Sequence, residues 1–203
     1  SIKCGYFGGF KKDKKFNGGI MLKVAFQGEL GAYSHIAAKE IFPDAKITTC
    51  STFEETFRLA HRDSSYKVLI PIENSLAGRV ADIHYLLPKY KLQIYGEHFQ
   101  RVEHNLLSIQ SANLSDIKFV RSHAQAIGQC QDLIIKNNFK TIISADTAGS
   151  AKDLSENNDK SIAAIASSLS AEIYNLKILK KNIEDESGNV TRFLIMGKDI
   201  QQP

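Results

Sequence analysis

The sequence predicts an α/β fold built as two lobes with an active-site cleft between them, and three observations carry that prediction. Short apolar runs alternate with amphipathic stretches along most of the 203 residues, the order expected of mainly parallel strands covered by helices. A β-rich segment at 92–110 interrupts the alternation and is too long for one more βα unit, so it reads as the chain crossing from one lobe to a second. Four strand ends carry clusters of polar side chains, at 73–75, 121–123, 146–147 and 191–192, and strand ends in α/β sheets open into ligand crevices. The last two strands read as returning to the first lobe. This places lobe 1 at about 22–99 plus 177–199 and lobe 2 at about 100–176, with small ligands expected in the cleft between.

In chain order, a Val-Ala-Phe strand at 24–26 leads through a glycine turn into a helix at 34–42. A strand at 46–50 is followed by a helix at 53–61, and a strand at 68–72 by a helix at 80–87. After the β-rich crossing come a strand at 119–120, a helix at 125–137, a strand at 141–145 and a helix at 147–156. A strand at 162–165, a helix at 168–174 and strands at 177–183 and 192–197 close the chain. No run approaches the roughly 20 apolar residues of a membrane-spanning helix, and the first twenty residues lack the apolar stretch of a secretory signal.

Charge narrows the partners. Residues 1–20 hold five lysines against Asp13, and residues 21–203 hold 21 basic and 21 acidic groups, so the net +4 sits in the leading segment. A balanced globular body is not a nucleic-acid binder. The glycine- and lysine-rich segment 1–20 has no helical or strand periodicity and reads as a disordered basic tail. Three widely spaced cysteines (Cys4, Cys50, Cys130) and six scattered histidines form no metal-ligand spacing. Free thiols in a reducing, cytoplasmic compartment and no metal or cofactor are the expectation.

Gly28 and Gly31 lie within the turn Gln27–Ser34, where Ser34 is placed to cap the following helix and free amides would attract an anion. Glu73, Asn74 and Ser75 offer an acceptor, a donor and a hydroxyl in succession, more than a turn requires, although Asn-Ser is also a common cap. Ser122 and His123 precede a helix on which Gln125 and Gln129 share a face; Ser122 is a candidate cap there. Asp146-Thr147 is a further cap-like junction, and Thr191-Arg192 sets a hydroxyl and a guanidinium at the mouth of an apolar strand. One strong cation among many neutral donors fits a small anionic organic ligand. The order of residues lacks the Ser-His-Asp or Cys-His arrangement of acyl transfer.

Six blocks together, QGELGAYS at 27–34, PIENSLAGRV at 71–80, SHAQAIGQC at 122–130, DTAGSA at 146–151, AAIASSLSAEIYNLKIL at 163–179 and NVTRF at 189–193, resemble the prephenate dehydratase catalytic domain and its arogenate dehydratase kin. The resemblance implies a two-lobed, type II periplasmic-binding-protein-like fold and conversion of prephenate to phenylpyruvate in phenylalanine biosynthesis, with loss of water and CO2. It implies a homodimer acting on a small molecule without a cofactor. It assigns the principal catalytic role to Thr191 and carries substrate-site roles onto Glu73, Asn74, Ser122, Gln129 and Arg192; Ser75 and Thr147 join them from the strand-end reading. Family members usually have Pro where this chain has Ala124, and typically continue into a phenylalanine-binding ACT domain; residues 1–203 stop where that linker would begin, so no ACT domain is expected within them, whether the protein naturally lacks it or the sequence is a trimmed piece.

Threonine is too weak an acid to expel hydroxide unaided, so a proton relayed from Glu73, its pKa raised by burial, is the expected mechanism. Arg192 is expected to clamp the side-chain carboxylate, with pairing to Glu184 or Asp185 as its structural alternative. Arogenate as substrate, or a non-enzymatic anion-binding module on the same fold, are the competing readings.

Overall fold

The computed structural model describes residues 5–6 and 21–198. They divide into two compact units, one made of the chain up to Gly28, 34–101 and 190 onward, the other of 29–33 and 102–189.

In the first unit, β2 (Lys23–Gln27) runs parallel to β3 (Lys46–Cys50) and β4 (Tyr66–Asn74). The strand β12 (Val190–Gly197) is inserted antiparallel between β4 and β6 (Gln93–Arg101). The two-residue strands β1 (Gly5–Tyr6) and β5 (Gly78–Arg79) add to β6 and β4. Strand pleat sends alternate residues to opposite faces. Val24, Phe26, Leu69, Phe193 and Ile195 therefore pack with Ala37, Ala38 and Ile41 of helix α1 (Tyr33–Ile41). Ala25, Val68, Ile70 and Met196 pack on the other face with Phe57 and Ala60 of α2 (Phe53–Arg62) and Leu86 of α3 (Leu86–Tyr90). Helix α2 starts where Thr52 Oγ1 accepts from Glu55 N at 3.1 Å, and Glu55 reaches back to Ser51 N at 2.8 Å, a reciprocal cap with acidic residues at the positive end of the helix dipole.

In the second unit, β8 (Phe119–Ser122) runs parallel to β9 (Lys140–Ile143) and β10 (Ile162–Ala166). Strand β7 (Asn105–Ser108) lies antiparallel between β10 and β11 (Lys177–Lys180). Helices α4 (Ala124–Gly128), α5 (Gln131–Lys136), α6 (Thr147–Asn157) and α7 (Ser168–Ile173) complete it. A single apolar cluster fills it, centred on Leu106, Leu107, Val120, Ala151, Leu154, Ala164 and Ile165. Apart from the short added strands, the two sheets share one order, β3-β2-β4-β12-β6 and β9-β8-β10-β7-β11. Each has three parallel strands, then an antiparallel one, then a fourth parallel to the first three. The α/β, type II periplasmic-binding-protein-like class is thus written twice in the topology.

The structure departs from the sequence-based expectations in several places. Strand Lys177–Lys180 stays in the second sheet, paired with β7; only β12 joins the first, so the expected lobe boundary at 177 moves to 190. The helix expected at 125–137 is split. The Asp185 amide donates to the Gln129 carbonyl at 2.7 Å, and the Asp185 carboxylate accepts from Gln131 N and Asp132 N at 2.8 and 3.0 Å. That carboxylate supplies α5 with a new N-terminus. In place of a helix at 80–87, Val80 donates to Ile72 O as an extended residue, and a 3-10 turn at Ala81–Ile83 precedes α3. Gly5–Tyr6 pairs with β6 although it lies in the expected tail; 1–4 and 7–20 are outside the described residues.

The turn 29–33 is held by its carbonyls. Gly31 O accepts from Ser167 Oγ at 2.5 Å and Ser170 Oγ at 3.1 Å, and Leu30 O from Tyr174 Oη at 2.8 Å. Gly31 has φ +93°, and a Cβ there would meet the Ser170 hydroxyl oxygen and lie 2.9 Å from the Ser170 Cα. Gly31→Ala should therefore lower the unfolding free energy by about 3 kcal/mol, from backbone strain plus overpacking. Gly78→Ala, at φ +81° with open space around the Cβ position, should cost only about 1 kcal/mol. Urea denaturation of the two variants checks the difference.

Candidate functional site

The polar side chains selected from the sequence fall into two groups, one in each unit.

In the first unit, the end of β4 meets the start of β12. Thr191 lies opposite Asn74 on one side and Gln100 on the other, while Arg192 lies opposite Glu73 and Phe99. Asn74 Oδ1 accepts from the amides of Leu76 and Ala77, both at 3.0 Å. This fixes the orientation of its side chain and turns Nδ2 to donate to Thr191 Oγ1 at 3.0 Å. The threonine oxygen thus accepts one bond, and its proton is directed away from Asn74. An accepted bond polarises a hydroxyl and makes it a better donor. Ser75 clamps the strand start: its amide donates to Val190 O, and its hydroxyl oxygen accepts from Val190 N, each at 2.9 Å. This backbone role of Ser75 sets the height of Thr191.

Pleat alternation places Glu73 and Arg192 on the face opposite Asn74 and Thr191. The expected direct relay from Glu73 to the Thr191 hydroxyl does not follow from this register, and Glu73 is solvent-exposed. Arg192 is engaged by neither Glu184 nor Asp185. Its Nε and Nη2 donate to Glu97 Oε2 at 2.8 and 2.6 Å, and its guanidinium carbon lies 5.8 Å from the centre of the Phe99 ring. On the Thr191 face, His98 and Gln100 are buried, with His98 Nε2 3.4 Å from Glu40 Oε2 and 3.3 Å from Gln100 Oε1.

In the second unit, Gln129 ends α4 and is the centre of a polar cluster. Its Oε1 accepts from Asn189 Nδ2 at 2.9 Å and lies 2.8 Å from His104 Nε2. His104 Nδ1 lies 2.9 Å from Tyr33 Oη, which also reaches Glu103 O at 2.8 Å. The His104 amide donates to Glu184 Oε2 at 3.0 Å. Burial, reinforced by Cys130, Glu184 and Glu103, pushes the Tyr33 hydroxyl well above its ordinary range. Burial also holds His104 below the usual imidazole value, opposed by its bond to Gln129 and by Glu184. Burial raises the Cys130 thiol, so it is no nucleophile at neutral pH.

Ser122 is fully buried at the end of β8, and its hydroxyl donates to Ile165 O at 2.7 Å. Through this bond it ties two strands together. The expected cap role of Ser122 falls to His123, whose ring nitrogen accepts from Gln125 N at 3.3 Å. Ser34 likewise lies inside α1, not at its cap. Thr147 is half-buried at the first position of α6, behind the Asp146 cap. Sequence reasoning missed Tyr33, His104 and Asn189. Tyr33 and Asn189 stand inside recognised blocks, but His104 looked like one of six scattered histidines. Among the described residues, no group of three or more His, Cys, Asp or Glu is placed to hold a metal ion, and no helix is long and apolar enough to cross a membrane.

The prephenate dehydratase family model matches residues 24–201. The chain is 42% identical over 175 residues to a bifunctional N-acyl-homoserine lactone acylase/prephenate dehydratase of Komagataeibacter europaeus, covering 86% of this chain and 62% of that protein. It is 38% identical to arogenate dehydratase/prephenate dehydratase 2 of Arabidopsis thaliana, covering 89% and 48%. It therefore spans less than two thirds of the length of these curated relatives. The crystal structure of prephenate dehydratase from Arthrobacter aurescens in complex with L-Phe superposes with a TM-score of 0.81 at 26% identity, covering 90% of this chain and 62% of that one. With the six sequence blocks and the doubled sheet order already in place, these matches establish that the chain belongs to the prephenate dehydratase family.

Proposed function

We propose that this chain is a prephenate dehydratase, a hydro-lyase that converts prephenate to phenylpyruvate, CO2 and water. The observation that carries the reading is the Thr191 hydroxyl, fixed by the Asn74 amide at 3.0 Å at the start of the one strand inserted antiparallel into the first sheet. In this reaction the ring C–O bond breaks with both electrons going to oxygen, and the C–CO2 bond electrons become ring π electrons. Aromatisation supplies the driving force, so the protein's task is to stabilise the departing oxygen. Thr191 donates its hydrogen bond to that oxygen and stabilises the charge building there as it leaves, and the proton that turns the departing hydroxide into water comes from solvent. Asn74 polarises and orients the donor, and Ser75 holds its backbone. Gln129 supplies a neutral donor to a substrate carboxylate. A neutral donor suits this substrate, because a cation on the carboxylate to be lost would stabilise the ground state and slow its departure. Arg192, already paired with Glu97, acts as a brace of the sheet.

Arogenate is the second reading, favoured by the Arabidopsis thaliana relative whose name carries both activities. It differs from prephenate in an ammonium where prephenate has a keto group. The same proposal carries a homodimer and a reducing, cytoplasm-like compartment, in keeping with Cys50 and Cys130 as buried free thiols.

Thr191→Ala should fold normally and lose on the order of 100-fold in kcat, while Thr191→Ser retains most of it. An alanine variant with more than half of the original turnover would remove Thr191 from the reaction. Arg192→Lys should leave KM for prephenate within twofold and lower stability by about 1 kcal/mol, since the two-pronged bond to Glu97 is lost; thermal melts and Michaelis curves on one preparation check both. The ratio of kcat/KM on prephenate and arogenate decides the substrate, with prephenate expected to lead.

A further inference from the structure

We infer that Tyr33 and His104 are positioning residues that determine which end of the Gln129 side-chain amide is presented to a ligand, so that Gln129 offers its NH2 group to an anion. The dehydratase reading names that anion as a substrate carboxylate; the orientation itself stands on the hydrogen-bond network alone.

Two neutral arrangements of this cluster satisfy the contacts Tyr33–His104–Gln129–Asn189. In the first, Tyr33 Oη donates to His104 Nδ1 (2.9 Å), His104 Nε2–H donates to Gln129 Oε1 (2.8 Å), and Asn189 Nδ2 donates to the same oxygen (2.9 Å). The carbonyl end of Gln129 is then fully used, and its NH2 group faces outward. In the second, Tyr33 Oη donates to Glu103 O (2.8 Å) and the imidazole carries its proton on Nδ1. Both amides reverse, and Gln129 would present its oxygen. The choice therefore belongs to one tyrosine proton.

Three features select the first arrangement. Glu103 O does not depend on Tyr33, because Asn105 Nδ2 also donates to it at 3.3 Å. The Tyr33 proton is thus available to His104 without orphaning a carbonyl, which would cost about 1–3 kcal/mol. If His104 gains a proton, both ring nitrogens become donors. Tyr33 then turns to Glu103 O, and His104 Nε2–H still points at Gln129 Oε1. The outward NH2 thus survives either charge state of the imidazole, and Glu184, bonded to the His104 amide at 3.0 Å, lies close enough to balance the charge. Gln129 is also only half-buried, so its outward end is accessible to a ligand, whereas His104 is buried. Tyr33 and His104 set the direction and the half-exposed amide reads the ligand.

The test has two independent arms. Imidazole 15N spectra of the whole chain labelled with 15N-histidine, with the His104→Gln spectrum subtracted to identify the ring, should show His104 at neutral pH with its proton on Nε2. A proton on Nδ1 overturns the inference, whatever the enzyme does. In the second arm, Tyr33→Phe should raise KM for prephenate about tenfold with kcat within about threefold, and Gln129→Glu, which replaces the NH2 group by an oxygen, should raise it further. Adding Tyr33→Phe to Gln129→Ala should produce no additional change in KM. An equal tenfold rise in that background means that Tyr33 acts on the fold and not through Gln129, and also overturns the inference. If the unaltered chain turns over neither prephenate nor arogenate, the dehydratase reading fails, and the nitrogen spectra alone still decide the orientation of Gln129.

Discussion

The first unit depends on the double pairing of β12. This eight-residue strand joins β4 and β6, antiparallel to both, and its register decides which side chain leaves which face. Because strand side chains alternate, a slip of one residue would exchange Thr191 with Arg192. Apolar content alone guards the register weakly, since Phe193 and Ile195 are buried on one face and Met196 on the other. The polar start of the strand supplies the rest. Ser75 bonds both backbone groups of Val190, Asn74 takes the Thr191 hydroxyl, and Glu97 takes the Arg192 guanidinium. The paired strand is irregular at Arg192/Phe193, where the ladder passes from polar end to apolar core.

The second unit meets the opposite problem, that of polar groups inside. Ser108, Ser122, Ser150, Ser167 and Ser170 are all buried, and each hydroxyl finds a bond: Ser122 to Ile165 O, Ser167 and Ser170 to Gly31 O, Ser108 to Ile109 O, Ser150 to Asp146 O. Small hydroxyls at these positions let strands and the 29–33 turn approach closely and satisfy carbonyls that regular structure leaves over. The same accounting explains the interruption between α4 and α5. Asp185 caps the second helix from a loop 54 residues away in sequence, and so holds Gln129 at a helix end, where its side chain can reach both His104 and Asn189.

These two solutions suit the proposed dehydratase reaction, which asks for few groups. Loss of CO2 and water from a cyclohexadiene creates an aromatic ring, so neither a metal nor a covalent intermediate has to be invoked to account for the driving force. Well-aimed neutral donors are sufficient in kind, and the structure builds one such donor in each unit: a threonine hydroxyl polarised by an amide, and an amide turned by a tyrosine–histidine pair. In both cases the group proposed to meet a ligand is oriented by a partner whose own bonds are already committed.

Much of this was legible in the residues. Alternating βα order, the β-rich crossing near residue 100 and the glycine turn are local patterns, and local patterns follow from propensity and period. The blocks around Asn74, Gln129 and Thr191 were visible as polar residues crowded at strand ends, and their residue types already named the family. What the sequence could not contain is partnership across distance. That Arg192 takes Glu97 rather than an acid nearer the chain's loop, that Glu73 falls on the face opposite Thr191, and that Lys177–Lys180 stays with the second sheet are decided by strand register and sheet order. The link from Tyr33 through His104 to Gln129 joins residues 71 and 25 positions apart, and no periodicity encodes such a separation. The sequence by itself determined the elements and the chemical alphabet of the site; only the tertiary structure decided which donor meets which acceptor, because a hydrogen bond depends on distances of a few tenths of an ångström that packing alone sets.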